Sequence, residues 1–318
     1  MPEQGRKTDP EIPQKIWVAG HRGLVGSALM RRLEGCGGTL LTVDRDNLDL
    51  TRQAEVEEWL AAHRPDQIYM AAARVGGIQA HLDQPAEMLR DNLAIAGNVI
   101  HAAHRVGVPR LLYIASAAVY PLEAPQPYRV EDLWAGPVDP SHIGYATAKR
   151  AGIALCQTYR SQFGRDYISV LPTNLYGTAI GASPRHAHVV PAMLRRFGAA
   201  KRSGAAEITL WGTGTPLRDF LHADDLADAL VFLMARHSGA APVNIGSGQE
   251  VSIRALAETI AEVVGYDGAL HFDTDRPDGA SRRLMDLSAL HGLGWSGARP
   301  LRAGLEEAWS HLQHEVTV

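Results

Sequence analysis

Short apolar runs alternate with amphipathic stretches through the first half of the chain. Lys15-Ile16-Trp17-Val18-Ala19, Thr39-Leu40-Leu41-Thr42-Val43, Gln67-Ile68-Tyr69-Met70, Arg110-Leu111-Leu112-Tyr113-Ile114 and Tyr167-Ile168-Ser169-Val170-Leu171 each have the length of a strand. They lack strict polar alternation, as expected of strands covered on both faces. Helical patterns lie between them: Leu24 to about Leu33, a stretch through Ala61, Pro85 to Val106, and one carrying Tyr145 to about Phe163. Strands alternating with helices predict an α/β fold with a doubly wound parallel sheet. After Gly177 the regular alternation stops, and segments rich in Gly, Pro, His and Arg separate shorter elements. We expect a disordered lead-in over 1–14, a nucleotide-binding domain over 15–177, and a smaller α/β substrate-binding domain over 178–318. Segments of about 219–248 are expected to return to the first domain. Asp224-Asp225-Leu226 opens a helix there, with aspartate as its N-cap.

The turn after the first run changes the picture from fold to chemistry. It reads Gly20-His21-Arg22-Gly23-Leu24-Val25-Gly26 and leads directly into a helix. Glycines let the backbone approach a pyrophosphate, and the helix N-terminus offers amides and a positive dipole end. The sheet is therefore read as Rossmann-type. Asp44 ends the second strand about 20 residues on, where a carboxylate accepts from ribose hydroxyls and favours NAD. Arg22 and Arg45 lie close enough in sequence to pair with a 2′-phosphate, so NADP is not excluded. Asp49 and Leu50, the small Ala71-Ala72-Ala73 at a strand end, Asn92, Pro172, Asn174 and Leu175 complete the expected cofactor site. Val75 and Gly76 continue the third strand as a loop facing the substrate.

Ser116 ends the strand that begins at Arg110, and Tyr145 and Lys149 share one helix. Residues four apart on a helix lie on one face, about 40° and 6 Å apart. A nearby ammonium favours phenolate and lowers a tyrosine pKa. The tyrosine can then exchange a proton with a sugar hydroxyl while a serine orients the same oxygen.

Together these stretches resemble the extended short-chain dehydrogenase/reductase family of nucleotide-sugar enzymes, most closely its GDP-L-fucose synthase branch of 3,5-epimerase/4-reductases. The resemblance rests on Val18 to Ala28, Pro172-Thr173-Asn174-Leu175-Tyr176-Gly177, Trp211-Gly212-Thr213-Gly214-Thr215-Pro216-Leu217-Arg218 and Arg276-Pro277-Asp278-Gly279. It implies that Ser116, Tyr145 and Lys149 serve hydride transfer, that His188 is an acid/base, and that Asn174, Val189, Trp211, Arg218 and Arg283 join Ser116 and His188 in holding the sugar nucleotide. It also implies a homodimer, which the small residues Ala146, Ala148, Ala151, Gly152 and Ala154 would permit through close helix approach.

Two departures limit the resemblance. The family's catalytic cysteine, two residues beyond the serine, is replaced by Ala118, and Thr178-Ala179-Ile180-Gly181-Ala182 replaces a polar segment. Inverting C3 and C5 beside a ketone needs a base on one face and a proton source on the other. With only His188 left, C3 and C5 are expected to keep their configuration. The favoured expectation is an NAD-dependent C4 epimerase of a nucleotide-diphosphate hexose or heptose, GDP- or ADP-linked. The alternatives are an NADPH-dependent 4-keto reductase and a non-catalytic NAD(P)-binding regulator.

Composition narrows the partners further. The 318 residues are 46% hydrophobic and 21% charged, with a formal net charge of −4, so no attraction to nucleic acid or membrane is expected. No apolar run approaches the roughly 20 residues that span a bilayer. The two cysteines, Cys36 and Cys156, make no metal or redox spacing, which points to a reduced, cytoplasmic setting without a metal site.

Overall fold

The computed structural model describes residues 15–178, 188–276 and 278–317. The polar lead-in, most of the segment replaced after Gly177, and Pro277 lie outside the described residues. The first half runs β1 (Lys15–Ala19), α1 (Leu24–Leu33), β2 (Thr39–Leu41), α2 (Gln53–His63), β3 (Gln67–Met70), α3 (Ile78–Asp83), α4 (Pro85–Val106), β4 (Arg110–Ile114), α5 (Ile143–Phe163) and β5 (Asp166–Pro172). The second half adds β6 (Asn174–Tyr176), α6 (Val189–Ser203), β7 (Glu207–Trp211), β8 (Leu217–His222), α7 (Ala223–Arg236), β9 (Val243–Ile245), β10 (Glu250–Ser252), α8 (Ile253–Val264), β11 (Ala269–Asp273), β12 (Arg282–Arg283), α9 (Ser288–Gly292) and α10 (Leu301–Thr317).

Six strands form one parallel sheet in the order β2-β1-β3-β4-β5-β9. Its apolar runs are buried on both faces. Trp17, Ile68, Leu111 and Tyr113 pack with α2, α4 and α5, while Val18, Tyr69, Leu112 and Val170 pack with α1 and α7. This is the Rossmann-type doubly wound fold. The strand order reverses between β1 and β3, which opens a crevice beyond their carboxyl ends. A third core, around Leu194, Phe197, Leu256, Ile260 and Trp309, holds α6, α8 and α10 together. Beside it lie a four-stranded sheet of β10, β8, β12 and β6 and the pair β7 with β11.

One local expectation changes. The cap of α7 is the buried His222, whose Nδ1 accepts from the Asp224 amide at 3.3 Å. Asp224 and Asp225 instead occupy the first turn, where carboxylates suit the helix dipole. The small residues of α5 also serve the protomer itself: a Cβ on Gly152 would stand 2.2 Å from the Tyr113 ring, and one on Gly144 would stand 2.2 Å from the Pro85 carbonyl oxygen. Ala146 and Ala148 are fully buried. Close packing of α5 on α4 and the sheet accounts for these four, while Ala151 and Ala154 are half-buried. No described helix is long and apolar enough to cross a membrane.

Candidate active site

Backbone geometry at the glycine turn leaves no room for side chains. Gly20 has φ +86°, and a Cβ there would stand 2.7 Å from the Ala72 backbone; on Gly26 it would stand 2.0 Å from the Gly20 carbonyl oxygen. The Gly23 amide donates to the Gly20 carbonyl at 3.0 Å, closing the turn. Gly23 caps α1 without any side-chain hydrogen bond, so the first amides of the helix face the crevice unclaimed by a cap. A cradle that a methyl group would fill, at a helix N-terminus, fits a dinucleotide pyrophosphate.

A single cavity of about 1270 Å³ begins at this turn and runs to the second half of the chain. Gly20, Gly23, Leu24, Val25, Arg45, Asp49, Leu50, Ala71, Ala72, Ala73, Pro172, Asn174 and Leu175 line it from the expected cofactor set. Four members of that set do not line it. Gly26 supports the turn from below. Arg22 and Asp44 bond to each other at 2.6 Å, with His21 3.4 Å from the same carboxylate. Asn92 is buried and clamps the Arg74 backbone: its Oδ1 accepts from the Arg74 amide at 2.9 Å and its Nδ2 donates to the Arg74 carbonyl at 3.0 Å. It thereby fixes the loop after β3. Asp49 lines the cavity, but one carboxylate oxygen is held by the Thr51 amide and hydroxyl at 3.0 and 2.8 Å.

Midway along the cavity stand Ser116, Tyr145 and Lys149. The Ser116 hydroxyl neighbours the Tyr145 phenol and favours its ionised form, and Ser116 Oγ accepts from the Ala118 amide at 3.2 Å. The buried Lys149 ammonium donates to the Ile114 carbonyl at 2.7 Å and lies 5.8 Å from the Tyr145 ring centre. The electrostatics reverse the expectation that the ammonium lowers the tyrosine. Burial pushes the Tyr145 phenol up to about 12 against the opposing effect of the Ser116 hydroxyl, and it lowers Lys149 to about 7. Removing charge from water dominates for both groups. The tyrosine is therefore held in its proton-donating form. Cys156 is buried, with its thiol pushed up to about 12, and takes no part in the site.

The far half is built from long side chains on separate elements. Val75, Gly76, His188, Val189, Trp211, Arg218 and Arg283 all line it, with Arg196, Asp139 and Ala118. Arg218 on β8 is lowered to about 10, first by burial and then by the neighbouring Arg283. Arg283 on β12 donates to Asp139 Oδ2 at 2.9 Å. Two neighbouring cations, one of them half stripped of water, make an arrangement whose charge and donors suit a phosphate or diphosphate. Trp211 is 70% exposed, which excludes a core role, and Arg276 sits 5.1 Å from its ring centre. His188 is the N-cap residue of α6, exposed and lining the cavity, and desolvation lowers its pKa. Asn174 donates to the Asp219 carbonyl at 3.0 Å and so ties β6 to β8.

The sequence reading missed His81, His142 and Arg196. His81 and Arg196 belong to α3 and α6, whose short or strongly basic patterns mark helices and give no sign of which side faces a ligand.

Residues 16–246 match the NAD dependent epimerase/dehydratase family. The chain belongs to that family. It is 52% identical over 296 residues to a GDP-L-fucose synthase of Arabidopsis thaliana, covering 93% of this chain and 92% of that protein. Among solved structures, a GDP-6-OMe-4-keto-L-xylo-heptose reductase from C. jejuni superposes with a TM-score of 0.90 at 30% identity, covering 97% of this chain and all of the other. A GDP-mannoheptose C4 reductase from Campylobacter jejuni, solved with NADP bound, gives 0.87 at 31% identity over 96% and 99% of the two chains. The protein is accordingly an NAD(P)-dependent enzyme of the nucleotide-sugar epimerase/reductase kind.

Proposed function

We propose that this protein reduces the 4-keto group of a GDP-linked sugar, with NADPH as its cofactor. The observation that carries the reading is the single cavity in which Ser116, Tyr145 and Lys149 stand between the glycine-turn cradle and the Arg218–Arg283 pair. A dinucleotide in one half and a nucleotide sugar in the other would meet at the triad. Gly20, Gly23, Ala72 and the amides of α1 would hold the dinucleotide, which when bound supplies the hydride.

The chain's own groups supply the rest. Ser116 Oγ orients the sugar carbonyl oxygen, and Tyr145 gives it a proton as negative charge develops there. Lys149, 5.8 Å from the ring centre, stabilises the phenolate left behind.

Two further observations favour the reductase over the expected NAD-dependent C4 epimerase. Arg22 already holds Asp44, which weakens its repulsion of a 2′-phosphate, and Arg45 lines the cavity with its guanidinium in no described ion pair. The relatives named above are a GDP-L-fucose synthase and two GDP-sugar reductases. The test is an incubation with GDP-4-keto-6-deoxy-mannose and NADPH. Stoichiometric NADPH oxidation with a new C4 alcohol is expected. Interconversion of GDP-sugars at C4 with no net change in cofactor would instead establish the epimerase.

A further inference from the structure

Lys149 is the charged member of the triad, yet among the described residues it makes no ion pair. It donates to the Ile114 carbonyl at 2.7 Å. Two aromatic rings stand about its ammonium, with the centre of Tyr113 at 4.9 Å and that of Tyr145 at 5.8 Å. Tyr145 is the reacting group. Tyr113, next to Ile114 on β4, does not line the cavity and stands outside the space for either ligand. Its ring is buried between the sheet and α5, where the missing side chain of Gly152 makes room for it. Burial first, and then Tyr145 and Cys156, drive its phenol well above the ordinary range. Beyond Tyr145 stands His81 on α3, and no carboxylate is among these groups. The Tyr113 ring is therefore neutral, and it offers the ammonium the negative face of its π system.

We propose that Tyr113 is a positioning residue for the reduction: its ring face takes the place of a counter-ion and holds Lys149 charged beside Tyr145. The inference rests on the 4-keto reductase reading, in which Lys149 must be a cation when Tyr145 gives up its proton. Burial works against that state and lowers Lys149 to about 7. A carboxylate in the place of the ring would restore the charge, but it would also repel the phenolate that forms on Tyr145. A ring face attracts the cation without carrying a net charge of its own. The field of the ammonium is then left to act on the phenolate. The Ile114 carbonyl adds a second neutral acceptor. Because it and the ring come from adjacent residues of one strand, the two together fix where the ammonium sits.

The test titrates Lys149 directly by NMR and measures the pH profile of NADPH oxidation separately. The chain's lysines are Lys7, Lys15, Lys149 and Lys201, so ¹³C-lysine labelling gives few signals, and Lys149→Met assigns its own by loss. Tyr113→Leu should lower the Lys149 midpoint by about one pH unit, ~10-fold in its protonation equilibrium. The alkaline fall in rate should begin earlier by the same amount, with the rate at lower pH retained. Tyr113→Phe keeps the ring face and should hold the midpoint within about 0.3 pH unit. A midpoint unmoved in Tyr113→Leu overturns the proposal. So does a rate lowered equally at every pH with the titration in place, as a merely structural ring would give. Where Tyr113→Leu does not fold, trifluorophenylalanine at that position keeps the shape while its fluorines drain the ring face. It must lower the midpoint relative to Tyr113→Phe, and no lowering overturns the proposal. A lowered midpoint without NADPH oxidation in wild type keeps the hold of Tyr113 on Lys149 and removes the reductase. NADPH oxidation with an unmoved midpoint does the reverse.

Discussion

The two halves of the cavity are made from different material. The cofactor half is backbone and small side chains at the ends of β1 and β3, with Gly20 and Ala72 so close that a Cβ would stand 2.7 Å away. The sugar half is long charged and aromatic side chains brought from α3, α6, β7, β8 and β12. A backbone cradle recognises what every dinucleotide shares, and it tolerates no added atom. A side-chain receptor can be altered one residue at a time without disturbing the fold. The fold should therefore break from the first half, and specificity should change from the second.

The largest expected effect falls on the triad between the halves. Tyr145→Phe removes the transferable proton and should lower turnover about 10²–10⁴-fold while cofactor binding is kept. Single-turnover kinetics beside a cofactor titration separate the two. A variant retaining more than about a tenth of the wild-type rate would show that the proton comes from elsewhere.

Next comes the cradle. Gly26→Ala forces a Cβ to 2.0 Å from the Gly20 carbonyl oxygen, and the backbone cannot yield there as a flexible side chain would. We expect a cost of about 3 kcal/mol, or ~100-fold in cofactor affinity, read by calorimetry. Gly97→Ala in α4 is the control, because its Cβ meets nothing within 4 Å. That change should stabilise the protein by roughly 0.5–1 kcal/mol in thermal unfolding.

In the sugar half the sign for stability is different. Arg218 is disfavoured as a cation by burial and by Arg283, so Arg218→Met should leave the melting temperature unchanged or raised. Its loss should weaken GDP-sugar binding ~10–100-fold, the worth of a charge-assisted hydrogen bond, with NADPH affinity unaltered. An equal loss for both ligands would mean that the two halves are not separable.

This division also explains what could be read from sequence. The parallel sheet, its flanking helices and the glycine turn are local patterns: β1, α4 and the turn all lie where periodicity and spacing put them. Arg218 and Trp211 were legible only through resemblance, since nothing local distinguishes a cavity arginine from a surface one. His81 was invisible. Its position depends on how α3 lies against α5, a tertiary fact without a periodic signature. The charge state of Tyr145 was misjudged for a related reason. Sequence supplies the neighbouring ammonium, but the burial that raises the phenol exists only once the sheet and α5 have closed around both groups.

The smallest effects concern cofactor choice, at the edge of the cradle where the two materials meet. Asp44 alone would argue for NAD, because a carboxylate repels a 2′-phosphate. Its bond to Arg22 at 2.6 Å offsets that charge, and Arg45 adds a second guanidinium at the cavity wall. Both arginines are exposed, so each interaction is worth about 1 kcal/mol at most. Arg45→Ala should accordingly lower the preference for NADPH over NADH by ~5-fold. Arg22→Ala should do about as much by a different route, since it removes a cation and also releases Asp44. Raising the salt concentration should shrink both effects, as screening requires of exposed charges. Competition between NADPH and NADH in the wild type and the two variants measures the ratio directly. If neither substitution moves it and NADH is the better cofactor throughout, Asp44 governs the site, and the NAD-dependent epimerase becomes the stronger reading.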